Sequence, residues 1–147
     1  MHYIAVVNGP NLNLLGRRCP EIYGTRSAAD IVADLVTGRD DVEVRMWCYN
    51  GEGQIIDLLH QVGYDPECVG IVLNAGAYTH TSLAIADAIE AIAVPVVEVH
   101  MSNVFAREAI RHRSMIARVC IGSVSGFGEM SYQLAVLALM NRYEQQR

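Results

Sequence analysis

No lysine occurs anywhere in the 147-residue chain, so all eleven basic residues are arginines. Against sixteen acidic residues they leave a net charge of -5, which argues against the dense basic face that a nucleic-acid partner requires. Arginine as the sole cation suits point recognition of carboxylates or ion pairs at interfaces. No apolar run approaches the roughly 18 residues of a membrane span, and a first strand near Tyr3 leaves no room for a signal peptide. Cys19, Cys48, Cys68 and Cys120 form no C-x-x-C pair, which speaks against a zinc ribbon or a thioredoxin motif. A reduced, cytoplasmic protein that contacts neither nucleic acid nor membrane is expected.

Several catalytic signatures are missing too. There is no G-x-x-x-x-G-K-[ST] phosphate loop, no G-x-G-x-x-G after the first strand and no H-E-x-x-H metal pair. "GSVSG" at 122–126 has the outline of a nucleophile elbow, but Val124 stands where the serine would be.

What is abundant is apolar residue, 52% of the chain. That excess points to strands buried on both faces or to an interface between subunits. Runs bounded by turn residues recur at "YIAVV", "VEVRMWC", "VGIVLN", "VPVVEV" and "MIARVCI", predicting five strands. Between them, helical spacing follows Ser27 (Ile31, Leu35, Val36), "NGEGQ" (Ile55, Leu58, Leu59, Val62) and "THTS" (Leu83, Ala86, Ile89, Ile92). A last helix from about Glu129 buries Tyr132, Val136, Leu139, Met140 and Tyr143. Alternating strands and helices predict one α/β domain over 1–147, flavodoxin-like, with a five-stranded parallel sheet in the order 2-1-3-4-5 and helices on both faces.

In such a sheet ligands bind beyond the carboxyl ends of the strands. Asn8, Asn11 and Asn13 follow strand one, "NAGAYTHTS" from Asn74 ends strand three, and "HMSN" from His100 ends strand four. The strand order brings Asn11, Asn74, His80, His100 and Ser102 to one crevice. Competing readings are turn formation for Asn8 and Asn11, helix capping for Thr79, Thr81 and Ser82, and a solvated face for Arg107, Arg111 and Arg113.

The segment "GPNLNLLGRRCPEIYG" (9–24), broken by glycine and proline, presents Arg17, Arg18 and Tyr23 on a loop. A tyrosine with a pKa of ~10 is only about 0.1% ionised at neutral pH, a deficit of roughly 4 kcal/mol for a base. A guanidinium within about 4–6 Å lowers such a pKa by ~1–3 units. Arg18, five residues before Tyr23, is placed to do so, with Arg17 as its rival. Tyrosine, arginine, histidines and asparagines together describe a base, an acid and an oxyanion holder.

Taken together, "NGPNLNLLGRRCPEIYG", "LNAGAYTHTS", "VEVHMSNVFARE" and "SGFGEMSYQLA" resemble type II 3-dehydroquinate dehydratase, the type II dehydroquinase family, nearly end to end. The resemblance implies cofactor-free and metal-free loss of water from 3-dehydroquinate to give 3-dehydroshikimate, in a homododecamer built as a tetramer of trimers. By the same resemblance Tyr23 is the base, Arg18 keeps it ionised, Asn11 holds a water on the enolate oxygen, and His100 protonates the departing hydroxyl. Asn74, His80 and Arg111 match positions that bind substrate hydroxyls, and Met101 and Ser102 those that hold the carboxylate. Asp87 matches a residue reaching a neighbouring subunit's site, and Glu98 one that orients the histidine. The chain departs from the family at Cys19, Phe105, Arg113 and Ala86, positions that bear on the lid and on subunit contacts. Two other readings fit the fold class. One is a binding protein that holds dehydroquinate or a similar cyclic acid; the other is a flavin module, against which the lack of a serine- and threonine-rich phosphate cradle after strand one counts.

Overall fold

The apolar runs at the start and middle of the chain alternate in the side they bury, and this alternation sets the architecture. In the computed structural model, which describes residues 1–14, 30, 35 and 40–147, β1 (His2–Asn8), β2 (Val42–Cys48), β3 (Cys68–Asn74), β4 (Val96–His100) and β5 (Gly122–Ser125) form one sheet. Its order is β2-β1-β3-β4-β5, and every neighbouring pair is parallel, as expected for a flavodoxin-like fold. Three helices are described along their whole length: α1 (Glu52–Gly63), α2 (Leu83–Ala91) and α3 (Met130–Gln146). The helix expected after Ser27 falls largely outside the described residues. Asp30 and Leu35, which are described, are helical.

Tyr3, Ala5 and Val7 of β1 pack toward α1 and α2 with Ile71 and Leu73 of β3. Ile4, Val6 and Val72 point the other way, toward Tyr132, Ala135 and Leu139 of α3. This two-residue period makes two cores, one on each face of the central strands. Gly70 belongs to the second contact: a Cβ there would lie 2.8 Å from the terminal carbons of Leu139. Leu139 is fully buried, so Leu139→Ala is expected to cost about 2–5 kcal/mol of stability, read by urea denaturation.

Two expectations are corrected. "MIARVCI" is not a strand: Ala117–Val119 is a 3-10 turn, and β5 begins only at Gly122. The Ser114 hydroxyl accepts the N–H groups of Ile116 (3.3 Å) and Ala117 (3.0 Å), an alternative partner that draws this backbone away from a sheet ladder. Ile116 alone of the run is buried, anchoring the turn in the α1–α2 core. The second correction concerns α2, where Leu83 is exposed and the buried face is Ile85, Ala86, Ala88 and Ile89. Ser82 caps that helix as expected, its hydroxyl accepting the Ile85 N–H at 2.9 Å. Among the described residues no helix is long and apolar enough to cross a membrane.

Candidate active site

The carboxyl ends of β1, β3 and β4 lie side by side, and their register sets Asn8 beside Asn74. The chain leaves β1 through Gly9, whose N–H donates to the Asn74 carbonyl at 2.7 Å. A Cβ at Gly9 would sit 2.6 Å from the Ala75 carbonyl oxygen, so only glycine allows the loops after β1 and β3 to close together. Asn11 then takes a left-handed conformation, φ 70°, and its N–H donates to Asn50 Oδ1 at 2.9 Å. Asparagine tolerates that backbone better than other side-chain-bearing residues. The turn reading of Asn11 therefore holds, while the same residue lines the cleft.

That cleft has an empty volume of about 490 Å3, its open mouth included. Asn11, Asn74, His80 and His100 line it, joined by Met101, Ser102 and Arg111. The predicted convergence is thus present in the fold. Glu98 stands behind His100 rather than in the cleft. Asp87 sits on the exposed side of α2 and does not line its own chain's cleft. Arg18 and Tyr23, like Cys19, lie outside the described residues.

His100 is 7% exposed, and its Nε2–H donates to Glu98 Oε2 at 2.6 Å. The other carboxylate oxygen of Glu98 accepts the Ser114 hydroxyl at 2.9 Å. Both carboxylate oxygens are thereby paired, which fixes the imidazole plane and leaves Nδ1 as the ring nitrogen free for chemistry. His80 is held differently. A carbonyl only accepts, so its contact at 2.8 Å with the Arg113 carbonyl is made by Nδ1–H, leaving Nε2 for a ligand. The two rings lie nearly parallel, centroids 6.2 Å apart.

Arg107 also lines the cleft, correcting the solvated-face alternative for that residue, as it does for Arg111, whose Nε donates to Glu108 Oε1 at 3.1 Å. The cleft thus sets two arginines beside asparagine, histidine and serine side chains. Burial, helped by the nearby Glu98 carboxylate, pushes the Cys120 thiol up to about 12, so it stays protonated and is no nucleophile here.

Sequence reasoning missed Ser114 as the second partner of Glu98. It also missed the buried network behind Asn74: the Tyr132 hydroxyl donates to Asn8 Oδ1 at 2.7 Å and accepts from Asn74 Nδ2 at 2.9 Å. Neither pairing leaves a local signal, because the partners are distant in sequence.

Comparison with known proteins matches this arrangement to one family. The family described as Dehydroquinase class II matches residues 2–140. The 3-dehydroquinate dehydratase of an Exiguobacterium species is 56% identical over 95% of both chains, and that of Rhizobium etli 54% identical over 94% of this chain and 95% of its own. Among solved structures, the type II dehydroquinase of Butyrivibrio crossotus superposes with a TM-score of 0.89 at 39% identity, covering 95% of this chain and 97% of its own.

Proposed function

The chain belongs to the class II dehydroquinase family, and from that premise we propose that its cleft binds 3-dehydroquinate and removes water from it to give 3-dehydroshikimate. The observation that carries the reading is the convergence of Asn11, Asn74, His80, His100 and Arg111 on one cleft, with His100 clamped by Glu98.

In this reading the Tyr23 phenolate, kept ionised by Arg18, takes the proton from the carbon beside the ketone, and the electron pair becomes an enolate. A water held by Asn11 meets the enolate oxygen's charge. His100 gives its Nδ1 proton to the departing hydroxyl, which leaves as water while the enolate collapses to the conjugated ketone. Protons balance: one passes to tyrosine, one leaves histidine, and no electron is exchanged. Asn74, His80 and Arg111 bind substrate hydroxyls, and Met101 and Ser102 hold the carboxylate.

The proposed enzyme is one catalytic domain over 1–147, acting in the cytoplasm as a dodecamer of four trimers. Exposed Phe105, Ile110, Phe127 and Leu137 support burial between copies. In this reading Asp87, exposed on α2 and not among the residues lining its own chain's cleft, reaches a neighbour's.

Purified protein is expected to convert 3-dehydroquinate, followed by the ultraviolet absorbance of the conjugated product. Saturable binding without turnover would replace this reading with that of a binding protein.

A further inference from the structure

The fourth sequence block, "SGFGEMSYQLA", supplies no residue to the site as described, yet its tyrosine lies at full burial directly behind the cleft. Tyr132 is 1% exposed, Asn8 1% and Asn74 4%. We propose that Tyr132, together with Asn8, is a positioning residue for substrate binding: it fixes the orientation of the Asn74 amide so that its remaining N–H faces the cleft.

The hydrogen bonds carry the argument. Asn74 Oδ1 accepts the Gly76 N–H at 3.2 Å, and its Nδ2 donates to the Tyr132 oxygen at 2.9 Å. A tyrosine hydroxyl has one proton, and here it goes to Asn8 Oδ1 at 2.7 Å. Its oxygen is therefore left only as an acceptor, which Asn74 can satisfy with N–H but not with C=O. Gly76 imposes the same choice from the other side. An amide reversed by half a turn would set oxygen against oxygen at Tyr132 and N–H against N–H at Gly76. Burial raises the Tyr132 pKa, so the hydroxyl keeps the proton on which the direction of the chain depends. One Nδ2 hydrogen is used inward, and the second is left for the cleft that Asn74 lines. Asn8 and Asn74 end adjacent strands in register, so the sheet itself sets the spacing that α3 bridges.

The inference rests on the proposed reading that Asn74 binds a substrate hydroxyl. Its test is a double-mutant cycle on the full enzyme, with kcat and KM measured for 3-dehydroquinate. Tyr132→Phe is expected to raise KM about 3- to 10-fold, the scale of one neutral hydrogen bond, with kcat little changed. In an Asn74→Ala background the same substitution should leave KM where it was, an outcome that general loosening of the fold would not produce. Equal effects in the two backgrounds would overturn the proposal, as would an unchanged KM in Tyr132→Phe. If Tyr132→Phe does not fold, Asn8→Ala takes its place, because it frees the hydroxyl proton to turn toward Asn74. The same rise in KM, lost in the Asn74→Ala background, is expected, and its absence overturns the proposal. A wild-type protein without turnover would instead overturn the reading on which the inference stands.

Discussion

Replacing His100 by alanine is expected to lower kcat by about 10²- to 10⁴-fold, the usual contribution of a positioned acid, with a much smaller change in KM. A hydroxyl leaving without a proton is a poor leaving group, and in the proposed reaction no other described group is assigned to supply one. The buried pair with Glu98 makes histidine suited to this task. The carboxylate holds Nε2–H at 2.6 Å, sets a negative charge beside the ring, and leaves Nδ1 for the substrate. Glu98→Gln separates these effects. Glutamine offers its amide oxygen to Nε2–H, so that bond survives, while the charge and the bond accepted from the Ser114 hydroxyl, whose oxygen already takes two backbone N–H groups, are lost. A kcat drop smaller than that of His100→Ala is expected. Turnover within tenfold of wild type in His100→Ala, assayed by product absorbance, would place the acid elsewhere.

The strands legible in the sequence are those that carry an apolar run of their own, the edge strand β2 with "VEVRMWC" included. β1 and β3 read as apolar runs, and β4 as one interrupted only by Glu98, because each contributes to the two cores at once. β5 escaped detection because "GSVS" has one apolar residue and no buried one, and so leaves no apolar run to read. The apolar run before it is an anchored turn shaped by Ser114.

Within the site, legibility followed chain distance. Asn74, His100 and Ser102 stand at or just after strand ends, where the topology rule alone directs attention. Tyr132 bonds to partners 58 and 124 residues away, and Ser114 to one 16 residues away. Periodicity reports which face is buried and cannot report which buried hydroxyl meets which amide. Tyr132 accordingly read as an apolar position on a helix. Arg107 was ambiguous because an arginine on a short turn has the same sequence pattern whether it faces solvent or a cleft.

The second large effect is expected at Tyr23. Tyr23→Phe removes the only atom that takes the proton in the proposed reaction, so kcat should fall by about 10²- to 10⁴-fold at every pH. Arg18→Ala should behave differently, because it leaves the base in place and removes the charge that keeps it ionised. With a guanidinium nearby, an acidic group's pKa drops by ~1–3 units; without it the phenol returns toward ~10. Ionisation, and with it kcat, should then climb as pH rises from 7 toward 10, about tenfold per unit until the phenol's pKa is approached. Arg18→Lys keeps a positive charge and should show a milder shift in the same direction. Rate–pH profiles of the three variants, measured by product absorbance, distinguish the roles. A Tyr23→Phe protein that regains activity at high pH would show that tyrosine is not the base, since phenylalanine has no proton to lose. A flat, low profile in Arg18→Ala would instead assign the arginine to substrate contact rather than to tuning the phenol.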